Sequence, residues 1–224
     1  MSAYQTAKAI VRARYLSQVV ATFAYKATAE INAQITIAVD GTANTFTDSA
    51  SGLSVFANSK HVIVSGFTES ANNGLFTVKH GAVTAGVLPV AETTLTTEAL
   101  GDAVTIATAL PVQYENDKTF VQPEQSLFTR LTFHTLSDVL LEVGAGNVIR
   151  YNAQAWLEMY APQGTGDKAL NDLADASVNA FINSTTKKPV ITGGVKYGIP
   201  QLIEVGIQED FFRTDLHIPF QYDY

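Results

Sequence analysis

The sequence predicts an α+β fold: an antiparallel sheet flanked by two helices, with an inserted all-β domain. Three observations carry this. Two segments place apolar residues at helical spacing, three long segments alternate apolar and polar residues with period two, and a region between them changes texture altogether. Apolar residues make up 46% of the 224-residue chain and charged residues 16%, a balance that can bury a core and does not read as disorder.

The first helix is expected from Ala3 to Ala24, which lacks Gly and Pro and repeats Ile10, Ala13, Leu16, Val20 and Phe23 near helical spacing. Lys8, Arg12 and Arg14 interrupt the apolar pattern, so the segment does not read as a signal peptide. No run of about 18 apolar residues exists to span a bilayer as a helix.

From about residue 27 to residue 108 Thr, Val, Ala, Gly and Asn dominate. Short β-branched runs ("AQITIAV", "HVIVSGF", "GLFTVKH", "GVLPVA", "DAVTIAT") alternate with "DG", "SG" and "NNG" turn signals, predicting a small all-β unit. In "HVIVSGFTESANNGLFTV", Asn73 and Gly74 are expected to supply positive φ where a hairpin reverses. Two basic residues, Lys60 and Lys79, face seven acids between Thr28 and Thr108, so 2 − 7 = −5 of the chain's net −7 lies there.

After Leu110 come the long strands. In "LFTRLTFHT", Leu127, Thr129, Leu131 and Phe133 share one face and Arg130, Thr132 and His134 the other. In "VIRYNAQAWLEMYA", Ile149, Tyr151, Ala153, Ala155, Leu157 and Met159 oppose Arg150, Asn152, Gln154, Trp156, Glu158 and Tyr160. At the C-terminus Phe212, Thr214, Leu216, Ile218, Phe220 and Tyr222 oppose Arg213, Asp215, His217 and Gln221. Strands with one apolar face are half-buried and antiparallel. The second helix carries Leu170, Leu173, Ala174, Ser177, Val178 and Phe181 for packing on that face. "VKYGIPQLIEVGIQ" reads as the hairpin partner of the last strand, turning at Glu209 and Asp210. The domains are therefore 1–26 with 109–224, and 27–108.

Chemistry is harder to find. "QGTGDKAL" matches neither a P-loop nor a dinucleotide fingerprint, so Pro162, Gly164 and Gly166 are read as a turn, with Thr165 or Asp167 capping the second helix. His61, His80, His134 and His217 lack metal-ligand spacing and are expected to face solvent. Cysteine is absent, which removes thiol catalysis, thiolate metal sites and disulfides. Asp172 with Asp175, and Glu209 with Asp210, read as solvated charge, and the Asp40–Asp48 run as turn chemistry. No catalytic, cofactor or metal residues follow, and an enzyme is disfavoured. The net charge of −7 argues against affinity built on phosphate neutralisation. What remains is "SDVLLEVGAGNVIR", an apolar, glycine-bearing loop between two strands. Solvated in a monomer it would be a patch without purpose, so Asp138, Val139, Leu140, Leu141, Glu142, Val143 and Arg150 are the candidate interface residues.

The N-terminal helix, "PVQYEND", "LFTRLTFH", the hairpin loop, "RYNAQAWLEMYAPQGTGDKALNDLADASVNAFI" and "FFRTDLHIPFQYDY" together resemble the tail terminator (tail completion) proteins of long-tailed bacteriophages. The resemblance spans roughly two thirds of the chain; the inserted segment looks like the small immunoglobulin-like β-sandwich modules found in phage tail proteins. The resemblance implies a structural virion protein at the head-proximal end of the tail, assembled in the host cytoplasm. Such proteins form a hexameric ring on the tail tube protein, end its polymerisation and present the junction to the head–tail connector, and DNA passes through without sequence-specific contact. It implies no membrane partner and no cofactor. A tail tube subunit or head–tail joining protein is the near alternative, and a carbohydrate- or surface-binding module the more distant one.

Overall fold

A computed structural model of the chain describes residues 2–23, 30–31, 37–99, 104–115, 117, 120–123, 126–140, 148–164, 168–183 and 185–224. It is mostly β, with two α-helices, in the α+β class. The chain divides into two compact units, residues 1–23 with 112–224, and residues 24–111.

Helix α1 spans Ala3–Tyr15 and continues as a π-helical turn over Leu16–Val20. Ser2 caps it, its hydroxyl accepting from the Gln5 N–H. The buried stripe is Ala7, Val11, Tyr15 and Val19, with Val20; Ile10 and Leu16 are half-buried and Ala13 is exposed, contrary to the sequence reading. Lys8 and Arg12 explain the rotation. Lys8 is buried beside Glu115, and the Arg12 guanidinium lies over the Tyr114 and Phe133 rings, so the side of the helix that carries charge also faces protein.

The inserted unit contains β1 (Glu30–Ile31), β2 (Ile37–Asp40), β3 (Thr45–Asp48), β4 (His61–Ser65), β5 (Gly74–Thr77), β6 (Val87–Pro89) and β7 (Thr105–Thr108). They form two antiparallel sheets, β1-β7-β4-β5 and β2-β3-β6. Ile37, Val39, Phe46 and Leu88 from one sheet and Val62, Val64, Phe76 and Ile106 from the other join one apolar cluster. Asn73 does not take positive φ; it is extended at −108° and its side chain bridges the Phe67 N–H and carbonyl, leaving Gly66 and Gly74 to bend the chain. His61 is buried, its Nδ1 3.4 Å from the Thr77 hydroxyl, because β4 buries both His61 and Val62 at its start. The Asp40 carboxylate accepts from the Thr42 and Ala43 N–H groups, an Asx turn at the start of the Asp40–Asp48 run.

The other unit is built on one sheet: β8 (Val112–Tyr114), β9 (Phe128–Leu140), β10 (Ile149–Pro162), β11 (Ile191–Thr192), β12 (Val195–Tyr197), β13 (Gln201–Gln208) and β14 (Phe211–Asp223). The order is β11-β12-β14-β10-β9-β8, with β13 also on β14. It is mixed and not purely antiparallel, because β8 joins β9 in parallel, Val112 opposite Thr129. Residues 115–127 separate β8 from β9, far more than a hairpin needs, so nothing forces them antiparallel.

Alternation holds along the centre: Tyr151, Ala153, Ala155, Leu157 and Met159 of β10 are buried, as are Leu216, Ile218 and Phe220 of β14. Helix α2 (Lys168–Phe181) turns Leu170, Leu173, Ala174, Ser177 and Phe181 inward and packs against β10 and β14. Arg14 ties α1 to the end of α2, donating from Nε to the Ala180 carbonyl at 2.6 Å and from Nη1 to Thr192. Tyr15 donates to the Thr129 hydroxyl at the centre of the core, where burial pushes its phenol far above the usual range. Gly164 has φ +83 after β10, and the Gln163 N–H donates to the Asp210 carbonyl; the proposed caps Thr165 and Asp167 lie outside the described residues.

Candidate functional site

The strand expected before β14 is two strands. Residues 198–200 interrupt it: the Gly198 N–H turns to the Pro219 carbonyl at 2.7 Å, and Pro200 has no N–H to add to a ladder. β14 therefore carries β12 along Phe220–Tyr222 and β13 along Phe211–His217, the latter returning through a turn where Glu209 has φ +54. A bulge interrupts β13 between Glu204 and Gly206, and Gly206 at φ +94 absorbs it.

All eight residues of β13 are exposed. Leu202 (46%), Ile203 (42%), Val205 (47%) and Ile207 (64%) place apolar surface on both of its faces, and among the described residues β14 is its one partner. An edge strand of this length carries no lysine or proline; the bulge at Gly206 and the charge of Glu204 are the edge protections it has against pairing with another chain.

The opposite margin is also open, but higher up. β8 covers Thr129–Leu131 of β9, while His134–Val139 are all exposed, Leu136 and Val139 among them. Of the candidate interface residues, Asp138, Val139 and Leu140 thus continue the strand and do not form a separate loop. Leu141, Glu142 and Val143 lie outside the described residues. Arg150 is engaged within the subunit: Nε and Nη2 donate to the two Asp223 oxygens at 2.7 and 2.9 Å, and Lys196 Nζ adds a third bond at 2.9 Å. The Arg150 bonds, then that from Lys196, hold the Asp223 carboxyl well below its ordinary range.

The sheet face away from α2 carries the polar residues. Arg213 donates bidentately to Asp215 (2.7 and 2.8 Å), to Glu158 (3.0 Å) and to Gln208 of β13 (2.8 Å), pinning the edge strand to the sheet. Arg130 and the Tyr160 hydroxyl also donate to Glu158. Burial, followed by the Glu158 carboxylate, pushes Tyr160 up to about 12. Two guanidiniums and two carboxylates satisfy one another, so the cluster offers no free acid or base. Beneath it Phe128, Tyr160 and Phe211 cluster, Phe128 and Tyr160 stacked parallel at 4.5 Å and Phe211 edge-on to both. The alternating pattern hides this small core, because all three residues sit on the face it assigns to solvent. Trp156 lies between His134 and His217, each ring 4.3 Å away, so both imidazoles of the polar face cover indole instead of standing free. Among the described residues, clefts of 280, 250 and 200 Å³ indent this unit, each below the about 300–1,000 Å³ usual for small-molecule pockets. Among the described residues no group of three or more His, Asp or Glu is arranged to hold a metal, and no helix is long and apolar enough to cross a membrane.

No protein-family model matches the chain, and no curated protein matches it. A solved structure that carries no functional name is similar over 50% of this chain and 79% of its own, at 16% identity and a TM-score of 0.38. A likeness of that size carries no argument for fold or function.

Proposed function

We propose that the chain is a structural virion protein of a long-tailed bacteriophage. It forms a ring, of six copies by the sequence resemblance, that caps the tail tube, ends its polymerisation and provides the junction to the head. Within this reading the two helices flank the sheet, and the inserted unit is an immunoglobulin-like module. The partners are other copies of the chain, the tail tube protein and the head–tail connector. The observation that supports the reading is the pair of open margins on one sheet, apolar β13 at one side and His134–Val139 at the other. Closed rings are built from heterologous contacts, which need two different patches on each subunit. Exposed apolar strand edges are costly in a monomer and useful in an assembly.

Native mass spectrometry of the purified chain tests this. A single closed oligomer of fixed mass is expected. A continuous series of masses points to the tube-subunit alternative, and a monomer at all concentrations rejects the assembly reading.

A further inference from the structure

We propose that Asn73–Gly74 is a self-modification site that the fold holds shut. In the folded inserted unit the pair is inert; once the turn over residues 67–74 opens, Asn73 converts to aspartate or isoaspartate, and the turn no longer recloses as before. The inference is independent of the assembly proposed above.

The sequence supplies the reactive pair once, since Asn is followed by Gly at residues 73 and 74 and nowhere else in the chain. Glycine has no side chain to shield its backbone nitrogen, so that nitrogen can approach the amide carbon of a preceding asparagine. Hydroxide takes the Gly74 amide proton, and the nitrogen pair attacks Asn73 Cγ. The Cγ–Nδ2 bond breaks, and ammonia leaves with a proton from water, which restores the hydroxide. A second water opens the five-membered imide at one carbonyl or the other, giving aspartate or isoaspartate. Nothing is oxidised or reduced.

The fold blocks the first step. Ring closure brings Cγ, Cβ, Cα, the carbonyl carbon of Asn73 and the Gly74 nitrogen into one plane, and the extended Asn73 backbone, at φ −108° and ψ 146°, holds them out of it. The side chain is also fixed at both of its polar atoms. Oδ1 accepts from the Phe67 N–H at 3.0 Å, while Nδ2 donates to the Phe67 carbonyl at 2.7 Å and to the Glu69 carbonyl at 3.1 Å. Gly74 begins β5 opposite the buried Val64. Reaction therefore requires three hydrogen bonds and the start of a strand to be released together, which is a local unfolding and not a side-chain fluctuation.

Each member of the pair has its own structural reason. A Cβ at Gly74 would meet no atom within 4 Å, so it is the φ of +123° and not space that calls for glycine. The clamp needs one acceptor and two donors on a short side chain, which asparagine supplies and aspartate does not. Conversion is one-way for the same reason. A carboxylate at position 73 sets oxygen against the Phe67 and Glu69 carbonyls, where Nδ2 donated. It also adds negative charge to a turn that already holds the Glu98 carboxylate on the Thr68 and Glu69 N–H groups. Isoaspartate instead routes the backbone through Cβ, lengthening it by one atom just before Gly74 meets Val64. Either product turns a reversible opening into an irreversible loss.

Mass spectrometry of peptides spanning Asn73, taken from the full chain after incubation in mildly alkaline buffer, tests the lock. The folded parent should keep Asn73 intact over the time in which the urea-unfolded chain converts it. Conversion should follow the open population, so Phe46→Ala should speed it in the absence of urea by about a hundredfold or more, and Ile37→Val, a one-methyl truncation in the same core, by up to about tenfold. Should Phe46→Ala not fold, the parent against Ile37→Val decides. Conversion in the folded parent at the unfolded rate, or one common rate in the parent and the core variants, would overturn the lock. Asn73→Asp tests the consequence: calorimetry should show the transition of the inserted unit lowered by about 4 °C or more and that of the sheet-and-helix unit in place. An unchanged transition of the inserted unit would overturn the claim that conversion prevents reclosure.

Discussion

The two units handle the edges of their sheets in opposite ways. In the inserted unit, strands of two to five residues are closed off. The edge strand β5 continues into a bridge between Val78 and Val90, and the Glu92 carboxylate accepts the Thr77 N–H. Beside β2, Glu98 bonds Val39 through its backbone in both directions, while its side chain takes the Thr68 and Glu69 N–H groups and Asn72 Nδ2. The other unit has strands of 13 and 14 residues in β9 and β10, buries their centres, and leaves two margins bare. Side chains and backbone that terminate a ladder make a module that stops at its own boundary; bare ladders make one that can continue into another copy.

The sharpest way to break this comparison is to unfold the units separately. Phe46 and Phe181 are each fully buried in one unit, and Phe→Ala in a core costs about 3–5 kcal/mol. Phe46→Ala should lower only the unfolding transition of the inserted unit, and Phe181→Ala only that of the sheet-and-helix unit, followed by calorimetry. A common shift of both transitions would mean that the two units unfold as one.

A smaller effect concerns the termination itself. Partial desolvation raises the pKa of Glu98, but the hydrogen bonds from Thr68, Asn72 and Glu69 outweigh it and hold the carboxyl below its ordinary range. A carboxylate with a depressed folded pKa contributes stability that is fully present above the unfolded value and is lost as pH falls through the folded one. Glu98→Gln should therefore destabilise the inserted unit at pH 7 by about 1 kcal/mol or less, since the group is partly exposed, with the difference closing as pH falls through and below the ordinary carboxylate range. Denaturant midpoints of parent and variant across that range would show it; a gap that persists at low pH would mean that shape and not charge matters at this position.

The smallest expected effect is on the open margin. Ile203→Ser removes apolar surface that is already exposed, so the stability of an isolated subunit should change by no more than about 0.5 kcal/mol. A loss of several kcal/mol in urea titration would show that β13 belongs to the folded core, and the contrast between the units would fail.

Much of this architecture was legible in local pattern. The period-two faces of β10 and β14, the stripe of α2, the turn at Glu209 and Asp210 and the change of texture across the inserted segment all follow from spacing and turn chemistry that neighbouring residues repeat. The candidate surface was only half legible. Val139 and Leu140 stand out because glycines flank a short apolar run, whereas "QLIEVGIQ" reads only as part of the hairpin partner of the last strand. Its exposure depends on what lies beside it, and sequence spacing does not carry that.

By itself, then, the sequence determined which residues share a face, because side-chain direction repeats every two residues in a strand and every three to four in a helix. Tertiary structure decided which of those faces and edges found partners. It set β8 parallel to β9, divided the margin of β14 between β12 and β13, buried His61, and gathered Phe128, Tyr160 and Phe211 on a face with polar neighbours. These are non-local pairings among segments tens of residues apart, fixed by what else competes for the same ladder, and no period within one segment records the outcome.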